Sequence, residues 1–245
     1  MDFTFGIITL GDHDNFIIQI IASIIKNKIP NYEIIIVGNT KIRGDRLKVF
    51  EFDESIKSGW ITRKKNMVVL NAKYDNIVLL HDYIKLGENW YEGFLKFGNE
   101  FDWCVTKILN KDGRRFRDYT LFPYEVDFLN IFYSPGRDID KYFDNCCLLP
   151  YNFVNNVKTN KYMYISGSYY VIKRDVAINN LLDENLVHAR SEDVEYSKRL
   201  HLKGHIIKCN SHSDVVFLKQ KDHAPWEREI HPFYLNKFIQ HCENN

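Results

Sequence analysis

Asn76-Ile77-Val78-Leu79-Leu80-His81-Asp82-Tyr83 is the stretch on which the fold class turns. Its four-residue apolar run reads as a short strand buried on both faces, the pattern of a central strand in a parallel sheet. The run stops at His81-Asp82, an imidazole and a carboxylate that can each meet a metal or a sugar hydroxyl. In open α/β sheets, ligands gather at the carboxyl ends of the strands. His81 and Asp82 are therefore candidate site residues, although an acidic residue in a strand-ending turn is common on its own account.

Upstream, Phe3 to Leu10 is rich in β-branched residues and reads as a first strand, turned by Gly11-Asp12-His13-Asp14. Ile17, Ile20, Ile21 and Ile24 then recur at i, i+3, i+4, i+7, one face of a helix. Tyr32 to Val37 supplies a second strand and completes a βαβ unit, right-handed by default. Leu47 to Phe52 is a third strand, leading into Asp53-Glu54. Trp60 to Ala72 reads as a helix with Arg63, Lys64 and Lys65 near its start. Cations are disfavoured there unless an anion is close, which marks them as a possible diphosphate cradle. A solvated helix face is the plainer expectation for at least two of the three.

Downstream come a helix over Trp90 to Phe97 and a strand over Phe101 to Ile108. Regularity is lost from Asn110 to about Asn160, and an insertion of that length is usually a lid or a recognition region. Tyr162 to Lys173 resumes strand character around Ser166-Gly167-Ser168, and Asp175 to Leu182 is a short helix. Another helix begins at Ser191 as N-cap and stops at Gly204. Glu192 and Asp193 suit the positive end of its dipole, and Glu195 pairs with Arg199 at i, i+4. A strand near Asp214 to Leu218 and a helix near Pro232 to Cys242 finish the chain.

Composition removes several function classes. The 245 residues carry 33 Lys plus Arg against 32 Asp plus Glu, so no basic field points to nucleic acid. The five cysteines are Cys104, Cys146, Cys147, Cys209 and Cys242, without a CxxC, which argues against a disulfide framework or zinc site. No run approaches the ~20 apolar residues of a membrane span, and the first residues lack the basic-then-apolar pattern of a secretory signal. A cytoplasmic, reducing compartment is the expectation.

The order of these motifs resembles the GT-A fold glycosyltransferases, most like the large inverting family 2. The resemblance is carried by Ile7-Ile8-Thr9 before a helix with Ser23-Ile24, Glu33 to Val37, Arg63-Lys64-Lys65-Asn66, and Val78 to Tyr83 at the acidic metal motif. Ser166-Gly167-Ser168 before a strand, and Glu192-Asp193 opening a helix with Arg199 seven residues on, complete it. It implies an α/β, GT-A-like (Rossmann-like, nucleotide-sugar-binding) fold with a mixed, mostly parallel sheet flanked by helices. One domain over 1–245 is expected, 1–109 forming the nucleotide-sugar half and 110–245 the acceptor half.

The resemblance also implies the chemistry. A nucleotide-sugar donor, with UDP the expected nucleotide, gives its sugar to a saccharide or protein hydroxyl with inversion, in a hexosyltransferase-type reaction. Mn²⁺ or Mg²⁺ would neutralise the leaving diphosphate, with Asp82 as one metal ligand and His223 as a second; His212 competes for that role. Asp193 would be the carboxylate base for the acceptor hydroxyl, supported by Glu192. Thr9, Gly38, Asn39, Asp53, Lys65, Asn66, His81 and Asp82 would line the donor site, and Ser166, Gly167 and Ser168 the acceptor site. Two departures stand out. Tyr83 occupies the place of an acidic metal ligand, and Gly38-Asn39 the place of an acidic residue that meets the base.

Two other function classes fit less of the sequence. A sugar-phosphate nucleotidyltransferase would want a glycine-rich, basic phosphate loop after the first strand, where this chain is acidic. A non-catalytic carbohydrate- or protein-binding module on a degenerate GT-A fold accommodates Tyr83. A Rossmann dehydrogenase lacks its GxGxxG.

Overall fold

The apolar runs dictate the centre of the molecule. Ile77 and Leu79 point to one face of the sheet and Val78 and Leu80 to the other, and each joins a different buried cluster. A strand with both faces covered needs helices on both sides. The protein, a computed structural model, is described here over residues 1–121, 147–222 and 228–245.

In chain order the elements are β1 (Phe3–Ile8), α1 (Asp14–Lys26), β2 (Tyr32–Val37), β3 (Leu47–Phe50), α2 (Ile61–Asn71), β4 (Asn76–His81), β5 (Ile84–Leu86), α3 (Trp90–Phe97) and β6 (Trp103–Leu109). There follow β7 (Tyr119–Leu121), β8 (Cys147–Leu148), α4 (Val157–Asn160), β9 (Met163–Ile165), β10 (Tyr169–Lys173), α5 (Arg174–Ile178), α6 (Glu192–Leu202), β11 (Ile207–Phe217) and α7 (Pro232–Asn244).

Eight strands form one sheet in the order β3-β2-β1-β4-β10-β6-β11-β5. The β3-β2-β1-β4 half is parallel, as is β6 with β11, whereas β10 runs antiparallel to both its neighbours. The expected mixed sheet is thus observed. Ile17, Ile20 and Ile24 of α1 and Trp90 and Phe94 of α3 cover one face. Val68 and Val69 of α2 and Tyr196 and Leu200 of α6 cover the other. Because β10 is reversed, the carboxyl ends of β1, β4, β6 and β11 meet the amino end of β10 at one edge. The sheet draws strands from both sides of residue 110.

Three expectations are corrected by non-local pairing. Tyr162 to Lys173 is not one strand: the chain breaks at Ser166-Gly167-Ser168, so that β9 joins a small β8-β7-β9 sheet while β10 enters the large one. The region from Asn110 to Asn160 contains β7, β8 and α4, whose strand partners are too distant in sequence to leave a local pattern. The last strand is eleven residues long, with a register shift between Asn210 and Asp214.

No helix among the described residues is long and apolar enough to cross a membrane. No disulfide occurs among them; Cys104, Cys147, Cys209 and Cys242 are free, and burial pushes the Cys147 thiol up to about 12.

Candidate active site

At the carboxyl end of β1, the backbone of Ile8 accepts the Asp82 N–H at 3.2 Å, which sets the β4 turn beside Thr9. The Thr9 hydroxyl donates to Asp82 Oδ2 at 2.6 Å and accepts from Gly11 N–H at 2.9 Å. Asp82 is only 5% exposed. On its other oxygen, His13 Nδ1 lies 3.1 Å from Oδ1 and 3.5 Å from Asp12 Oδ1. That nitrogen is buried, yet has hydrogen-bond geometry to neither carboxylate.

Asp12, His13 and Asp82 each present one donor atom, all within 4.8 Å of one another. Ligands about 2.1 Å from one octahedral cation, at right angles to each other, stand about 3 Å apart. The spacings and the orphaned nitrogen fit a divalent ion, and imidazole with carboxylate is a donor set that suits Mn²⁺. His223 lies outside the described residues. His212, the competing histidine, is exposed on β11, its backbone packed against Gly93 of α3.

The remaining donor candidates divide into two groups. Gly38, at φ +136°, packs against the Thr9 carbonyl so closely that a Cβ would overlap it, and exposed Asn39 follows. Asp53 is exposed and spends one oxygen on the backbone and hydroxyl of Ser55, which hold its carboxyl below the usual range.

The basic run on α2 is not a solvated face: only Arg63 is exposed, paired with Glu184. Lys64 is buried, donates to the Thr9 carbonyl at 2.8 Å and pairs with Glu54. Asn66 is buried as a strut, exchanging bonds of 2.9 Å with the Leu182 backbone in both directions and donating to Glu184. Its polar atoms hold the loop before α6 and do not face an open donor site.

Lys65 turns the other way. It is 1% exposed and donates to the Gly167 carbonyl at 2.7 Å, while the Gly167 N–H donates to Asp193 Oδ2 at 3.0 Å. A Cβ on Gly167 would stand 2.7 Å from Glu192 Oε1 and 3.3 Å from Lys65 Nζ, so glycine is what lets these three groups meet. Burial pushes the Lys65 ammonium down, opposed by Glu192 and Asp193. Burial pushes Glu192 up, with Lys65 working against the rise and Asp193 adding to it.

The start of α6 is bent to reach this point. Ala189 and Ser191 both have left-handed backbone, φ 61° and 56°, a conformation costing a non-glycine residue about 1–2 kcal/mol. Ser191 holds the N-cap position but makes no side-chain cap bond. Asp193 caps instead, accepting from Val194 N–H at 2.9 Å. The Glu195–Arg199 pair forms as expected, at 2.6 Å.

Asp193 and Glu192 open into a cleft of about 540 Å³, which Ser166, Gly167 and Ser168 line from the β9–β10 turn and His81 and Tyr83 from the end of β4. His188, Arg117 and Lys221 complete its wall. Asp82 does not line it; its carboxylate is turned to Thr9 and His13, so the two halves of the edge meet at Tyr83. Burial raises the Tyr83 phenol strongly, and Asp82 and Glu192 both add to the rise. Burial first, then Lys65 and His188, push the His81 ring well below its ordinary value.

A second groove, about 730 Å³, lies at the amino-terminal ends of β4, β6 and β11, among Asp75, Glu100, Asp102, Lys173 and Arg174. It is larger, but Lys173 is spent on Asn76 and Asn99 and Asp102 on His205, and no candidate residue reaches it.

The sheet order and the helices that cover its two faces are those of one known architecture. The fold is that of the GT-A glycosyltransferases. Structures of this GT-A kind include GalNAc-T7 with UDP, GalNAc and Mn²⁺, similar at TM-score 0.58 and 13% identity over 93% of this chain and 45% of that one. TarS residues 1–349 of S. aureus, in complex with UDP-GlcNAc, is similar at TM-score 0.55 and 12% identity over 99% of this chain and 65% of that one. The chain thus spans about half to two thirds of the length of these structures. No protein-family model matches it, and no curated protein matches it by sequence.

Asp12, His13, Arg117 and Lys221 did not emerge as site candidates from the sequence. All but Arg117 lie four or five residues past the carboxyl end of β1 or β11, so the strand-end rule that singles out Asp82, extended through the following turn, would have reached them. Arg117 sits in a region whose pairing is invisible locally.

Proposed function

We propose that this protein transfers a sugar from a nucleotide-sugar donor, a UDP-sugar, to a hydroxyl acceptor with inversion of configuration. One observation carries this: a single cleft brings the Asp193 carboxylate from α6 opposite the polar end of β4, at the edge where a GT-A sheet receives its donor. The two similar structures that contain UDP or UDP-GlcNAc support the choice of nucleotide.

In this scheme Asp193 takes the proton of the acceptor hydroxyl as that oxygen attacks the anomeric carbon. Each of its oxygens already accepts one backbone N–H, from Gly167 and Val194. A carboxylate keeps further lone pairs for a hydroxyl. Glu192 supports it, and Lys65 holds the pair through the Gly167 peptide. Ser166 and Ser168, hydrogen-bonded to each other at 2.8 Å, present hydroxyls to the acceptor.

Thr9, Gly38, Asn39 and Asp53 flank the nucleotide. Mn²⁺ or Mg²⁺ would be held by Asp82 with His13 and Asp12, and when bound supplies charge to the leaving diphosphate. Residues 1–109 then carry most donor contacts and 110–245 the acceptor contacts.

The test is turnover of a panel of nucleotide sugars by the wild type and by Asp193→Asn, followed as nucleotide release. Loss of a general base costs about 10²- to 10⁴-fold, with UDP affinity retained. Turnover that Asp193→Asn leaves unchanged would remove the base assignment. The absence of any nucleotide-sugar binding would leave a non-catalytic module on the same fold.

A further inference from the structure

Tyr83 stands where a second metal-binding carboxylate is expected, and its surroundings are cationic. The ammonium groups of Lys219 and Lys221 each lie 4.3 Å from the centroid of its ring. Arg117 and Lys221 line the cleft beside it. Neither lysine makes an ion pair with a carboxylate among the described residues. Lys221 is also a built position: buried Asn110 accepts from its N–H at 2.9 Å and donates to its carbonyl at 2.6 Å. The Leu218 N–H is tied to the Tyr83 carbonyl at 2.8 Å.

Within the cleft the carboxylates Glu192 and Asp193 come from α6, whereas the lysines gather at Tyr83, where an anion would relieve their mutual repulsion. His81 lies beside them. Its Nδ1 lies 3.1 Å from the Tyr83 hydroxyl, and its Nε2 is buried with no partner among the described residues.

We infer that Lys219, Lys221 and Arg117, arrayed around Tyr83 beside the buried His81 ring, form the subsite for the donor diphosphate, so that protein cations supply charge a second carboxylate would have recruited through a metal. The inference rests on the nucleotide-sugar function proposed above and names the groups that meet its leaving group. Ammonium and guanidinium groups stabilise charge that develops on the diphosphate as the glycosidic bond breaks. Tyr83, a neutral ring that accepts cations on its faces, holds the lysines at the strand end where an aspartate would have drawn them into ion pairs.

Isothermal titration separates this subsite from the nucleotide site. The probes are UDP, uridine and inorganic pyrophosphate, each with Mn²⁺ and with EDTA. The proteins are the wild type, Lys219→Gln/Lys221→Gln, Arg117→Gln and the charge-keeping Lys219→Arg/Lys221→Arg. The wild type should bind UDP and pyrophosphate in EDTA. The double glutamine variant should lose at least about tenfold for both, as removal of a charged hydrogen-bond partner implies, and Arg117→Gln should lose in the same direction. Uridine affinity should be unchanged in both. The arginine pair should stay near wild type, which guards against a folding defect.

Glutamine variants that bind pyrophosphate and UDP like the wild type overturn the subsite. So does a wild type that binds pyrophosphate only with Mn²⁺, or a loss that is equal for uridine. A wild type that binds pyrophosphate in EDTA through these lysines, but gains nothing from the uridine of UDP, upholds the anion subsite and overturns the nucleotide-sugar function instead.

Discussion

Replacing Lys65 by methionine removes a buried ammonium while keeping the length of the side chain. In the fold Glu192 Oε1 and Lys65 Nζ lie 2.7 and 3.3 Å from one point above Gly167, and so within about 6 Å of each other. At an effective dielectric constant near 20, that attraction amounts to about 3 kcal/mol, which opposes the upward push of burial on Glu192. Both groups are buried, so solvent screening does not erode it.

The sign follows from the direction already present. Glu192 titrates above its unfolded value, so its contribution to stability is complete below the unfolded value and is lost as pH rises through the folded one. Without Lys65 the folded value climbs further, and the window in which that contribution is lost moves to higher pH. The acid limb of kcat/KM should move with it, because a protonated Glu192 sits beside the proposed base. Carbon-detected NMR of glutamate-labelled protein, assigned with Glu192→Gln, reads the carboxyl directly and needs no substrate. A Glu192 that titrates within about half a unit of wild type in Lys65→Met refutes the placement of these charges.

Three further perturbations test the rest of the edge. Gly38→Ala adds a Cβ that overlaps the Thr9 carbonyl at φ +136°, at a cost of about 1–3 kcal/mol. Urea denaturation should show a lower midpoint at constant slope, and an unchanged midpoint would mean the two turns are not in contact. Asn66→Ala strips three hydrogen bonds from the loop before α6 and should lower stability by about 2–3 kcal/mol. Full stability with lost UDP affinity would return Asn66 to the donor site. His13→Ala removes one of three clustered donors and should weaken Mn²⁺ binding by about tenfold or more, measured by EPR of free Mn²⁺. Equal Mn²⁺ affinity in both proteins would place the ion elsewhere.

Much of the fold over residues 1–109 was legible because its signals are local. The four apolar residues 77–80 could be satisfied only by cover on both faces, and the isoleucine stripe of α1 only by a sheet beneath it. Glu192 to Arg199 carried its helix in dipole and spacing alone. The basic run of α2 misled, since Lys64 and Lys65 are buried by partners, Glu54, Thr9 and Gly167, that lie 10 to 102 residues away. The split of 162–173 between two sheets was equally hidden, because β9 is claimed by β7 and β10 by β4 and β6.

From composition and period alone came the α/β class, the strand ends on which a site could form, and the carboxylates at the head of α6. Which way each of those groups faces was left to the fold. Side-chain direction at a strand end depends on the neighbouring strand, so only the assembled sheet turns Asp82 toward Thr9 and His13, presents Tyr83 to two lysines more than 130 residues downstream, and threads Lys65 to Asp193 through the peptide of a single glycine.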